Sequence, residues 1–266
     1  GKRTPSDGSE PTMSNAAATL THEAVSADVR LGSRAPSSSL FARIFDQVAM
    51  AAYPLVASAL GYTFKLGSTP ELCRDGRAVL AEVWANEGVA APTGCASITE
   101  RYDAATTWIV AYHRGSPVGV LGLLDMHKAS VSLDFEKRTA PASLNLDTTR
   151  ELARLGVAPA HRGSAQAVIV GLFREMGAYC KREGVETLFG GSTKALFHFY
   201  RTFNPSGRLL EAPHRASEPE ELTSYYAPLR AFAEGRGVLF TFEVRGGSAW
   251  SLFSRFLKRR LRQWRR

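Results

Sequence analysis

Cysteine is scarce: Cys73, Cys95 and Cys180 are scattered along the chain with no CxxC pair. An odd, dispersed set excludes a disulfide framework and a cysteine zinc site. It suits a reducing cytoplasm, with each thiol a small buried apolar group. Histidine offers no substitute, because His113, His127, His161, His198 and His214 fall at no metal-ligand spacing. No metal is expected. Also missing is an uninterrupted apolar run of about 20 residues, the length a transmembrane helix needs. The nearest approach places Leu40, Phe41, Ile44, Phe45, Val48, Ala51 and Ala52 on one helix face and continues from Leu55 to Leu60, but Asp46, Gln47 and Pro54 interrupt it. A helix packed on the domain, or one resting on a membrane, is expected. Residues 1–39 lack periodicity, and no compact apolar run follows Lys2 and Arg3, so they read as a flexible leader and not as a secretory signal.

What the chain has is the composition of a soluble globular protein, 44% apolar and 22% charged over 266 residues. One domain over 40–245 is the simplest division. Its positive charge is local. Arg255, Lys258, Arg259, Arg260, Arg262, Arg265 and Arg266 supply seven of the formal +8, leaving +1 for everything before Arg255. Trp250, Phe253, Leu257, Leu261 and Trp264 are spaced as one helix face. Residues 246–266 therefore read as a basic amphipathic helix. Anionic lipid at the inner membrane face is the first expected partner, ahead of packing on the domain, docking to an acidic carrier protein, and nonspecific nucleic-acid binding.

The elements follow from periodicity and turn residues. Tyr62 to Leu66 alternates as a strand, and Ser68 or Thr69 with Pro70 starts a helix that ends at Glu87-Gly88. Thr107 to His113 and Val118 to Leu124 form a hairpin about Gly115-Ser-Pro. Asp103 precedes it as a turn or capping residue, or as a functional carboxylate. Ala129 to Phe135 reads as a short strand and Ala140 to Asp147 as a loop. Glu218 to Glu234 is expected to be helical, with a closing strand over Gly237 to Val244.

The stretch from Thr148 to Pro205 carries the chemical signal. Arg150 to Val157 reads as a strand, stopped by Pro159, and the loop Ala160 to Ser164 leads into a helix that runs through Lys181 and ends near Gly184. Val185 to Phe189 is a second strand, broken by Gly190 and Gly191, and Thr193 to Phe203 a second helix. Arg162-Gly163-Ser164-Ala165-Gln166-Ala167 thus sits at a strand-to-helix junction, where free N–H groups and the helix dipole favour a phosphate.

Val157-Ala-Pro159 followed by Arg162, Gly163 and Ala167 resembles the phosphate loop of the GNAT superfamily of N-acyltransferases; Ala165 stands where its first loop glycine is usual. The helix ending in Tyr200-Arg-Thr-Phe-Asn204 is similar to that superfamily's last core helix, with Asn204 in place of a glycine expected in the left-handed conformation. Glu151-Leu-Ala-Arg154, Asp103 and Leu80-Ala-Glu-Val83-Trp84-Ala-Asn-Glu87-Gly88 resemble the acyl-homoserine lactone synthase and N-acyl amino acid synthase branch. The resemblance implies an α/β fold, a mixed and mainly antiparallel sheet flanked by helices on both faces. It implies transfer of an acyl group, a long fatty chain in that branch, from acyl carrier protein or acyl-CoA to a small amine such as an amino acid. It also implies a strand splayed at a bulge, which would bring Glu151 and Arg154 to one face. On this reading Glu151 is the base and Arg154 orients it or a substrate carboxylate; the two otherwise form a structural ion pair. Tyr200 is the acid, and otherwise a half-buried aromatic. Backbone N–H groups near Leu155 and Val157 polarise the thioester, and Arg162, Gly163, Ser164, Ala165 and Ala167 hold the pantetheine phosphate. An acetyl-CoA-dependent N-acetyltransferase and a noncatalytic lipid-binding member of the fold are the rivals.

Overall fold

Arg114 and Gly115 both adopt positive φ, 51° and 88°, the conformation of a type I′ turn, whose twist matches that of the strands it joins. It folds β2 (Thr106–His113) onto β3 (Ser116–Asp125), with His113 opposite Ser116. Around this hairpin the computed structural model, which describes residues 51–86, 100–136, 138–201, 204–210 and 237–246, builds a seven-stranded sheet. β1 (Tyr62–Gly67) pairs with β2 on one side. On the other, β3 is followed by β4 (Thr149–Val157), β5 (Thr187–Thr193), β7 (Gly237–Glu243) and the two-residue β6 (Arg208–Leu209). Only the β4–β5 pair is parallel among the described strands.

Helices cover both faces. Thr69 Oγ1 accepts from Leu72 N at 3.3 Å and caps α1 (Pro70–Asn86), which lays Leu72, Val79 and Leu80 on Trp108, Val110 and Val120. The short α2 (Val131–Glu136) lies on that same face, over Phe189 and Leu239. The opposite face takes α3 (Ala165–Arg182), α4 (Lys194–Arg201) and the helical residues 51–59, with Val168, Leu172, Phe197 and Tyr53 packed on Ile109, Leu121, Leu152 and Phe240. The arrangement is the mixed, mainly antiparallel sheet flanked by helices that the resemblance implies. No helix among the described residues is long and apolar enough to cross a membrane.

Several local expectations are corrected. Ala129 to Phe135 was expected to be a strand; its core is α2. The alternation is overridden because Ser130 Oγ accepts from Leu133 N and starts a helix. Gly190 and Gly191 do not break β5, which runs through them. A side chain at Gly190 would come within 2.6 Å of Phe240 and 3.3 Å of the Leu152 carbonyl, so close strand packing selects the glycine. The loop after Pro159 is a 3₁₀ turn, Pro159–Ser164, running directly into α3. Asn204 Oδ1 accepts from Ser206 N at 3.1 Å and its Nδ2 donates to the Glu243 carbonyl at 2.8 Å. The expected leader, the helix over 40–50, the helix over 218–234 and the basic tail lie outside the described residues.

Candidate active site

β4 and β5 are paired only at Thr149–Thr187, Arg150–Leu188 and Glu151–Phe189. Beyond Glu151 they diverge, β5 continuing against β7 and β4 against β3. The result is a fork that opens toward the carboxyl ends of two parallel strands, the usual place for a ligand in such a sheet. One lip continues from Val157 into the Pro159–Ser164 turn and α3; the other continues from Thr193 into α4, which carries Tyr200.

The fork coincides with a β-bulge. Val120 pairs with Gly156 and Gly122 with Ala153, so Leu121 alone faces Arg154 and Leu155. Arg154 takes φ 57°. The extra residue puts Glu151 and Arg154 on the α1–α2 face, which residues three apart in a regular strand cannot share. It also sets the N–H directions. Ala158 N donates to the Val118 carbonyl of β3 at 2.9 Å. Since successive N–H groups alternate sides, those of Val157 and Leu155 point into the fork, where no described strand pairs with them.

Glu151 sits at the crotch. It is 1% exposed and accepts from Ser130 Oγ at 2.5 Å, Ser132 N at 2.9 Å and Ser132 Oγ at 2.7 Å, so it anchors the start of α2 to the sheet. Burial raises its carboxyl above the usual range, against these hydrogen bonds, which lower it. Arg154 turns to other partners: Nη1 donates to Asp103 Oδ1 at 2.8 Å and to Thr106 Oγ1 at 3.2 Å, and the guanidinium lies 4.7 Å over the Trp108 ring. Burial pulls the Arg154 guanidinium down to about 10, with Cys73 and Glu151 opposing; it remains charged at neutral pH.

Tyr200 belongs to the other face. It is buried, with its ring 6.3 Å from Phe173 and 5.7 Å from Phe240, in the cluster that includes Leu152, whose side chain alternates with that of Glu151. Glu151 and Tyr200 therefore flank the fork from opposite faces of the sheet. At the mouth, Arg162 and Gly163 are exposed, and among the described residues nothing lies within 4 Å of a Cβ built on Gly163. Ala167 is buried, its carbonyl accepting from Tyr53 Oη. Ser164 and Ala165 complete the junction between the turn and α3. Among the described residues, no group of three or more His, Cys, Asp or Glu side chains is placed to hold a metal.

Two features escape the sequence. Ser130 and Ser132 are buried ligands of Glu151, a pairing that no local pattern announces across about 20 residues of chain. His161, partly buried in the turn, is one of a cluster: its ring stands 5.0 Å from that of His113, and its Nδ1 is 3.4 Å from Tyr62 Oη. Burial, then His113, holds the His161 pKa below the ordinary histidine range, with Glu82 opposing. The unfolded chain therefore takes up this proton first. The stability His161 contributes is present above about pH 6.5 and is lost as pH falls through the folded value. In urea titrations the wild type is expected to lose more stability between about pH 7 and 5 than His161→Asn does. Parallel pH profiles would contradict this.

No protein-family model matches the chain, and the comparison with curated proteins finds no match. Among solved structures the chain is similar to the N-acyl amino acid synthase FeeM from uncultured soil microbes, at 11% identity over 69% of this chain and 91% of that one, with a TM-score of 0.48. It is similar to the AHL synthase LasI at 13% identity over 73% and 95%, TM-score 0.49. It is also similar to an aminoglycoside 6'-acetyltransferase type Ii at 12% identity over 68% and 97%, TM-score 0.45. These are likenesses of fold.

Proposed function

We propose that the protein is an N-acyltransferase that moves an acyl group, a long fatty chain in the favoured case, from the phosphopantetheine thioester of acyl carrier protein or coenzyme A to a small amine such as an amino acid. One observation carries the reading. The β4–β5 fork combines two N–H groups, from Leu155 and Val157, that the β4 register turns away from β3, with an exposed turn at its mouth. A pantetheine arm laid in the fork completes the missing strand pairing. Its phosphate rests on the turn from Arg162 to Ala167 and its thioester carbonyl reaches the β4 N–H groups.

The amine attacks the thioester carbon, and the oxyanion that forms is held by the Leu155 and Val157 N–H groups. Collapse breaks the carbon–sulfur bond, and the leaving thiolate takes a proton from Tyr200. The ammonium proton does not pass directly to Glu151, which is 1% exposed with its oxygens engaged by Ser130 and Ser132. It reaches Glu151 through one of those hydroxyls. Arg154, bound to Asp103, keeps the bulge beside Glu151. The partners are the acyl donor and the amine; the basic segment 246–266 is assigned to an anionic membrane surface, with carrier protein as the competing partner.

The test is release of free thiol when the purified protein meets acyl-CoA or acyl carrier protein together with an amino-acid pool. Tyr200→Phe is expected to lower that rate by about 100-fold while keeping the fold, because only the proton donor is removed. No amine-dependent thiol release from either donor would sink the reading.

A further inference from the structure

The bulge at Arg154 is held by residues remote from it in the sequence, and Asp103 stands at their centre. Its Oδ1 accepts from Arg154 Nη1 at 2.8 Å, and its Oδ2 accepts from Arg77 Nη2 and, at 3.3 Å, from the Cys73 thiol. Arg77 also donates to Glu100 at 2.9 Å, which fastens α1 to the turn that Asp103 opens. The Asp103 and Arg154 side chains are 13% and 6% exposed. On the sheet side Gly122 leaves room for this packing: a Cβ there would sit 3.3 Å from Arg154 Cδ.

The Asp103 carboxylate, itself held by Arg77 and Cys73, acts on a residue in an unfavourable place. A left-handed arginine is strained by about 1–2 kcal/mol. Its guanidinium is also taken out of water, where an unpaired charge is not tolerated. With the carboxylate removed, the stable course for Arg154 is to return to extended backbone and carry its charge to solvent. That move erases the bulge. Without the extra residue, the alternation of N–H groups beyond it shifts by one position, and those of Leu155 and Val157 turn from the fork toward β3.

We propose that Asp103 is a positioning residue: by fixing Arg154 it fixes the bulge, and through the bulge it aims the two N–H groups that line the fork. The role of those groups in catalysis rests on the acyltransferase reading; the clamp itself does not.

A double-mutant cycle with Arg154→Gly separates the clamp from a general structural role of Asp103, because glycine adopts positive φ without strain and carries no charge to bury. The readout is hydrogen exchange at the Gly156 and Ala158 amides, whose bonding to β3 depends on the bulged register. Asp103→Asn is expected to speed that exchange about tenfold in the wild-type background and less than about twofold in the Arg154→Gly background. Equal acceleration in both backgrounds, or none in either, overturns the clamp. Should Asp103→Asn alone not fold, its folding in the Arg154→Gly background supports the clamp, and failure in both overturns it. Thiol release by the wild type is scored separately: its absence removes the acyltransferase reading and leaves the exchange result standing.

Discussion

Glu151→Ala is expected to lower folding stability by about 3–5 kcal/mol, read as the shift in urea midpoint at constant slope. The change removes the common acceptor of Ser130 Oγ, Ser132 N and Ser132 Oγ in a site 1% exposed. Each stranded donor costs about 1–3 kcal/mol, and relief from holding a buried carboxylate returns part of the sum. α2 also loses its tie to the sheet beside the fork. Glu151→Gln keeps the shape and one acceptor oxygen, and about 1 kcal/mol is expected. Burial places the Glu151 carboxyl above its unfolded value. Its stabilising contribution is therefore present below the ordinary glutamate pKa and lost as pH rises through the folded one, so the gap between wild type and Glu151→Gln narrows as pH rises. An anchor and a base also differ in what accompanies the loss of rate. If Glu151 serves only to receive a proton, Glu151→Gln slows acyl transfer while Glu151→Ala stays as stable as Glu151→Gln. An alanine variant within about 1 kcal/mol of wild type would remove the anchor role.

The order of strands and helices was legible because it rests on local signals: alternation in β1 and β2, the Thr69-Pro70 start of α1, and Pro159 after β4. The bulge was legible only through resemblance, since neither Ala153-Arg154 nor its neighbours carry a glycine to mark a left-handed residue. What makes the bulge possible is Asp103, about 50 residues upstream, and that partnership exists only once α1, β2 and β4 are assembled. The same holds at the crotch. Glu151 reads as a base or an ion-pair partner of Arg154, with no sign of its serine donors until α2 forms, and α2 reads as a strand until Ser130 and Glu151 cap it. One hydrogen-bond network thus defines both α2 and the surroundings of Glu151. The glycines behaved similarly: Gly190 was taken for a break because glycine most often ends a strand, whereas here a phenylalanine and a carbonyl on neighbouring strands leave no room for a side chain.

Gly119→Val is expected to cost about 3 kcal/mol or more of stability and to weaken donor binding with it. A Cβ on Gly119 would lie 2.4 Å from Val168 Cγ1 and 3.3 Å from Ala111 Cβ. Val168 is fully buried on α3, and a β-branched residue in a helix has essentially one χ1 rotamer, so it cannot swing aside. The helix has to lift from β3, which opens the seam lined by Val168 and Leu172 and moves the 3₁₀ turn that leads into it. Gly163→Ala is the counterpart. Its Cβ meets nothing within 4 Å and its φ is not in the left-handed range, so stability should stay within about 0.5 kcal/mol of wild type. On the proposed reading the added methyl stands where a phosphate would approach the turn, and affinity for coenzyme A should fall about tenfold. The two variants separate the turn's position from its surface: the first loses stability and affinity together, the second affinity alone. If Gly163→Ala binds coenzyme A as the wild type does, in isothermal titration at matched ionic strength, the phosphate does not rest on this turn and the donor does not enter the fork from this lip.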